Sequence, residues 1–169
     1  MKSPLHLLHV LVLALSPLLF AQSHGATPDA ARSVTSLSGP GWKLWRDAEA
    51  KWKDDVLFAP PVDLATVPVN PPTGGWEQLD SPAAVPCSVP DTAEGILGDG
   101  SGPKTALLGV TWWTTTLKLP ASAAGRRVLL QFDSARQRAE VYLDRKLVGY
   151  DLVCNTPFVL DLTGALKPG

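Results

Sequence analysis

Histidine is scarce in this chain, and its placement decides much of what the chain cannot be. His6, His9 and His24 are its three histidines, and all lie close to the N-terminus. A Ser–His or Cys–His nucleophile pair needs an imidazole base, and the usual zinc sites need an imidazole ligand. Neither can be assembled from the rest of the sequence, and no metal or cofactor is implied. Charge is sparse and nearly cancels, with 15 Lys and Arg against 16 Asp and Glu for a net charge of −1. Without a basic stripe, nothing marks the chain as a partner for nucleic acid or an anionic membrane. Cysteine is limited to Cys87 and Cys154.

Long apolar runs are also lacking, apart from Leu5 to Phe20. That run is interrupted by His6, His9 and Ser16, broken by Pro17, preceded by Lys2 and followed by the small residues Ala21, Ser23, Gly25 and Ala26. This is the layout of a secretory signal peptide. A membrane-spanning helix needs about 20 apolar residues, more than this run supplies. The expected organisation is a signal peptide over 1–26, a disordered polar lead over 27–37 and one domain over 38–169, exported to the periplasm or outside the cell with no membrane attachment in the mature form. The remaining length suffices for one core and not for two. In an oxidising compartment Cys87 and Cys154 either form a disulfide, contributing roughly 4 kcal/mol in the chain-entropy account, or stay as two unpaired thiols.

What the chain does have is proline, glycine and tryptophan, at 16, 14 and 6 residues, a composition suited to a loop-rich β protein. Trp42, Leu44 and Trp45 open a strand, and Asp47 to Asp54 reads as a short helical turn. Ala59 to Gly75, with five prolines and the pair Gly74–Gly75, reads as an extended covering segment that pins Trp76. Trp76 itself begins a strand-like stretch, and Gly95 to Leu108 reads as an irregular loop. Beyond Gly109 the period becomes two: Val128, Leu130 and Phe132 on one strand, Ala139, Val141 and Leu143 on a second, Phe158, Leu160 and Leu162 on a third. Short, evenly spaced strands of this kind build an all-β sandwich. Asp144–Arg145 falls at a hairpin turn, where positive φ favours Asn-Gly or Asp-Gly. Either this turn is longer than two residues, or Arg145 is held at a cost of roughly 1 kcal/mol relative to Gly.

Three motifs in this half occur in a fixed order. Gly109, Trp112 and Trp113, running on to Pro120, follow G-x-x-W-Y-x-R and a strand ending in Pro. Arg127 to Asp133 and Ala139 to Gly149 follow R-V-x-L-x-F-D and A-x-V-Y-V-N-G-x-x-V-G. Thr156, Pro157, Phe158, Asp161, Leu162, Thr163, Leu166, Lys167 and Gly169 follow T-P-F-x-x-D-[IVL]-T-x-x-[LI]-K-x-G. A weaker match to V-P-x-[ST]-W is carried by Val85, Pro86 and Ser88. On these residues the chain resembles the N-terminal, sugar-binding-like domain of glycoside hydrolase family 2, the group of β-galactosidases, β-glucuronidases and β-mannosidases. It departs from the pattern at Thr115, where Arg is usual, at Asp144–Arg145 in place of Asn-Gly, and at Val153–Cys154–Asn155 in place of Gly-Gly-Tyr. Each match also has a structural explanation: packing for Trp112 and Trp113 on opposite strand faces, a turn cap for Asp161 with Thr163, and backbone geometry for Gly109 and Gly149.

The resemblance implies a galactose-binding-like jelly roll lacking its last strand, and therefore prone to self-association. It also implies a noncatalytic part of a secreted glycosidase. Retaining enzymes of that kind use two carboxyl groups about 5 Å apart, and the family places them on a barrel that follows an immunoglobulin-like domain. No catalytic residue is assigned here, because Glu140, Asp144, Asp151 and Asp161 read as solvated carboxylates, with Glu140 and Asp144 on one strand face. Partners implied are those downstream domains and, through the whole enzyme, a carbohydrate substrate. Asp99 and Lys104, in the loop before the Trp-Trp strand, together with Trp76, are candidates for the substrate entrance. The alternative is a freestanding carbohydrate-binding module acting through Trp76 or Trp45.

Overall fold

The computed structural model describes residues 32–51, 63–98 and 109–166. Among these, every strand lies in the unit that begins at Leu37. Strand β1 (Gly39–Asp47) is the centre of a three-stranded antiparallel sheet, flanked by β2 (Val85–Val89) and β3 (Val110–Thr114). Strand β4 (Leu129–Phe132) pairs with β7 (Phe158–Asp161), and β5 (Ala139–Leu143) pairs with β6 (Lys146–Asp151), both antiparallel. The architecture is all-β, as the period-two patterning predicts.

Placement in β1 follows from the alternation along it. Leu44 is fully buried and faces the side of Trp113, its partner in β3, while Lys43, Trp45 and Asp47 point to the opposite side with Trp112 and Val110. Full burial of Leu44 contributes on the order of 2 kcal/mol. Gly39 and Gly41 take φ of 104° and 102° around a register shift between Pro40 and Trp42. Pro86 sits in β2, which among the described residues pairs only with β1, and a sheet edge is where a proline is tolerated within a strand.

The alternation in β4 and β7 is regular. Leu130, Phe132, Phe158 and Leu160 turn inward, and Leu129, Gln131, Val159 and Asp161 turn outward. Phe132 and Phe158 are register partners and their rings stack at 4.6 Å. Leu162, just past β7, is buried. The two-stranded sheets meet where Gly149 of β6 lies under Leu160 of β7; a Cβ on Gly149 would fall 2.5 Å from Leu160 Cδ2. Gly149 is therefore required by packing rather than by its backbone conformation, whereas Gly109, at φ 116°, meets the expected conformational demand.

Three local expectations are corrected. Strand β1 runs through Asp47 and a turn follows it, with the Ala50 amide on the Asp47 carbonyl at 3.4 Å, while the end of the helical turn read over Asp47 to Asp54 lies outside the described residues. The Trp76 stretch is a 3₁₀ helix (Trp76–Asp80), not a strand. A one-turn helix, α1 (Ala93–Leu97), takes up the first residues of the stretch read as loop from Gly95, and its Thr92 side chain accepts the Gly95 amide at 3.0 Å. Glu140 is not a solvated carboxylate: its side chain is 6% exposed, and Asp144 lies in the turn beyond its strand. At that turn Asp144 and Arg145 take φ of 48° and 68°, so it is a true two-residue hairpin with Arg145 in the left-handed region.

Candidate functional site

The end of β1 carries a buried carboxylate. Asp47 is 2% exposed, and its Oδ2 accepts the Thr73 amide at 2.8 Å. The chain reaches Thr73 from Pro71–Pro72 and turns sharply afterwards, with Gly74 and Gly75 at φ 83° and 105° and the Gly75 amide bonded to the Pro72 carbonyl at 2.9 Å. Asp47 thus holds the covering segment onto the sheet. Its other oxygen, Oδ1, is buried with no donor among the described residues.

Beside it opens a cleft of about 320 Å³, walled by Asp47, Glu49, Ala50, Lys51, Asn70, Pro71, Pro72, Thr73, Val110 and Trp112. Asp47 pairs with Val110 and Trp45 with Trp112 across the β1–β3 ladder, which makes Asp47 and Trp112 diagonal neighbours on one sheet face. The indole Nε1 of Trp112 is buried with no acceptor among the described residues. The cleft is thus walled by residues of β1 and β3 and by the Pro71–Thr73 segment, while Asp47 Oδ1 and Trp112 Nε1 are themselves buried.

Behind the cleft wall, Trp112 packs against Trp76 and Tyr142 at centroid distances of 5.5 Å each, and Trp76 meets Tyr142 at 5.2 Å. The Trp76–Asp80 helix is fixed over this face by the Lys43–Asp80 ion pair at 2.9 Å. That lysine, through its hydrogen bond and charge, lowers the Asp80 carboxyl below its ordinary range. Tyr142 donates to Glu140 at 2.6 Å, and Arg138 Nη2 donates to the other Glu140 oxygen at 2.7 Å. Burial, then the hydrogen bond and charge of Glu140, push the Tyr142 phenol well above its usual range. Glu140 thus accepts on both oxygens, with its side chain 6% exposed.

Of the residues singled out in the sequence, Trp76 is part of this aromatic group, and Asp99 and Lys104 lie outside the described residues. Cys87, half-buried in β2, and Cys154, exposed in the turn before β7, are both free thiols, so the pairing held open from sequence is not made. Cys154 Sγ accepts the Gln137 amide at 3.3 Å, and the Asn155 amide reaches the Ala135 carbonyl at 2.9 Å. These bonds tie the β4–β5 link to the β6–β7 link. Burial, then the charge of Asp91, raise the Cys87 thiol. Among the described residues, no three His, Cys, Asp or Glu side chains converge as a metal site requires. Sequence reasoning missed Asp47, although its parity with Trp45 on a central strand placed it on a face that packs.

Fold and site define an antiparallel all-β domain with a cleft beside the end of β1. The chain is 32% identical over 95 residues, 56% of its length, to a β-glucuronidase of Formosa agariphila. It is thereby related to a glycosidase, yet the match takes in only 10% of that relative, so the chain spans a small part of the relative's length. No protein-family model and no solved structure matches it.

Proposed function

We propose that this chain carries the N-terminal, jelly-roll, sugar-binding-like domain of a secreted family 2 glycoside hydrolase. In this reading the domain is noncatalytic, and it buttresses a catalytic barrel and shapes the substrate entrance. The similarity to a β-glucuronidase over more than half of the chain carries the reading. It is supported by the order of the motifs, which fall on β3, β4, the β5–β6 hairpin and β7 in turn. The occupied state of Glu140 speaks for a structural rather than a catalytic role, since a retaining mechanism needs a pair of available carboxyl groups about 5 Å apart.

Two measurements test this. The purified chain is expected to leave aryl β-glucuronides, β-galactosides and β-mannosides intact; turnover by the chain alone overturns the noncatalytic reading. An antiserum raised against the chain is expected to detect, outside the cytoplasm of the source cells, a polypeptide several times longer that hydrolyses glycosides. A secreted product no longer than this chain would favour instead a freestanding carbohydrate-binding module, the reading that the Trp112-lined cleft also suits.

A further inference from the structure

We infer that the Arg126–Arg127 bond, in the link between β3 and β4, is a cleavage site for an arginine-specific, trypsin-like endopeptidase, and that the cut chain stays together as a two-part domain. An enzyme of that class reads the side chain ahead of the bond with an acidic pocket, and Arg126 supplies the complementary cation. Water adds across the amide: the Arg126 carbonyl carbon takes the hydroxyl, the Arg127 nitrogen takes the hydrogen, and the C–N bond breaks. An endopeptidase must draw several residues around the bond into extended form, so a folded chain yields where opening breaks least. From Lys118 to Arg127 every residue except Ala123 is exposed. The backbone bonds there run from the Ala123 amide to Pro120, from Ala124 to Ala121 and from Arg126 to Ala123, at 2.9, 3.1 and 3.1 Å. All three close within the link, around the 3₁₀ turn Ala121–Ala123 and Gly125 at φ 69°. Opening the link therefore breaks these local turns and leaves the strand pairing intact.

The other arginines of the unit that begins at Leu37 sit where opening costs more. Arg46 belongs to β1, the central strand of its sheet. Arg138 is 13% exposed and bound to Glu140. Arg136 is paired with Glu94 at 3.4 Å, and the Gln137 amide after it is held by Cys154 Sγ from the next link. Arg145 lies in a two-residue hairpin that cannot extend without unpairing β5 from β6. The bond after Arg127 is also protected: the Val128 amide donates to Thr163 Oγ1 at 3.0 Å, and the Val128 carbonyl accepts the Leu162 amide at 2.9 Å. A cut at Arg127–Val128 thus lifts the start of β4, whereas a cut one bond earlier disturbs only the exposed Arg127–Asp161 ion pair, a weak contact. Cleavage at Arg126–Arg127 leaves β1, β2, β3 and Trp76 on one fragment and β4 to β7 on the other. Tyr142 clasps them together, with its ring 5.2 Å from Trp76 and 5.5 Å from Trp112, and the Arg136–Glu94 pair crosses the same divide.

The test treats the whole folded chain at neutral pH with an arginine-specific endopeptidase and follows the products by intact mass and N-terminal sequencing. Within the unit from Leu37, the first new N-terminus is expected at Arg127. The nicked chain is expected to elute with the uncut one on size exclusion and to separate into two fragments in urea. Arg126→Gln is expected to remove the cut and Arg127→Gln to leave it in place. Both side chains are exposed, so both variants are expected to keep the urea midpoint of the parent chain, which excludes unfolding as the cause of any difference. A first cut at Arg46, Arg136, Arg138, Arg145 or the Arg127–Val128 bond overturns the site. So does a folded chain left intact while a synthetic peptide of residues 121–131 is cleaved. Fragments that part without denaturant overturn the two-part domain.

Discussion

The Tyr142 hydroxyl donates to Glu140 at 2.6 Å while the tyrosine ring packs edge-on against Trp76. One side chain thus joins the aromatic group behind the cleft to the buried Arg138–Glu140 ion pair, whose side chains are 13% and 6% exposed. Tyr142→Phe preserves the packing and removes one donor from a buried carboxylate. It is expected to lower stability by about 1–2 kcal/mol in urea unfolding, with an unchanged m-value.

The same phenol gives a pH dependence with a defined sign. Its pKa in the folded chain is raised above the ordinary 10.0, first by burial and then by Glu140. The neutral form is thus favoured by folding, so the contribution is fully present below about pH 10 and is lost as pH rises beyond it. The chain has two tyrosines. Spectrophotometric titration is expected to show one ionising late, together with unfolding, and Tyr142→Phe is expected to remove that late component. Ordinary titration of both tyrosines in the folded chain would contradict the burial of Tyr142.

Acid acts on Asp161. Its Oδ1 accepts from the Thr163 hydroxyl and amide at 2.6 and 3.0 Å, and Arg127 Nε reaches Oδ2 at 2.8 Å. The Thr163 bonds first, then Arg127, hold the carboxyl down at about 2. A carboxylate lowered on folding stabilises above its unfolded pKa, near the ordinary 3.8, and that contribution disappears as pH falls toward 2. Asp161→Asn is expected to flatten the melting temperature over that acid range and to abolish the titration of the Thr163 amide there. The carboxylate is exposed, so the change at neutral pH is expected to be small.

The inter-sheet contact at Gly149 makes a packing prediction. Gly149→Ala sets a methyl 2.5 Å from Leu160 Cδ2, and relief requires a shift of Leu160 or of β6 itself. The expected loss is about 1–3 kcal/mol. Leu160→Ala alone opens a cavity, but in the double variant the new methyl fills part of it, so the double loss is expected to be less than the sum of the single ones. Strict additivity in that cycle would show that the two residues do not touch.

Much of the strand layout could be read from sequence because exposure in β4 and β7 follows the alternation residue by residue. The Asp161–Thr163 turn was legible for the same local reason, since short polar side chains bond the backbone two residues on. The two five-residue helices were not: so few residues carry too little periodicity, and α1 is fixed by the Thr92 cap just ahead of a stretch dominated by glycine. The candidate site was less legible still. Parity placed Asp47 on a packed face, but what covers it arrives from Pro71 to Thr73, with Thr73 26 residues further along the chain. Glu140 looked solvated because a charge two residues from its partner is as common on a surface as in an interior. Only the Tyr142 hydroxyl and the Arg138 guanidinium that meet its two oxygens in the fold distinguish the two.

The hairpin turn between β5 and β6 offers a stabilising change that tests the observed backbone. Asp144 and Arg145 both have positive φ, at 48° and 68°, between Leu143 and Lys146, which are register partners. Such two-residue turns match the twist of the strands but favour Asn-Gly, because side chains beyond Asn and Asp crowd their own backbone in the left-handed region. Asp144 tolerates this conformation and Arg145 does not. Arg145→Gly is expected to raise stability by roughly 1 kcal/mol, the strain released exceeding the extra freedom gained by the unfolded chain. Arg145 also gives a minor share of the charge that lowers Asp80, next to the dominant share from Lys43, so little is lost there. Arg145→Ala serves as the control: it removes the same charge but keeps a Cβ, and is expected to leave the midpoint of urea unfolding nearly unchanged. A gain from alanine equal to that from glycine would assign the effect to charge and would contradict a left-handed conformation at Arg145.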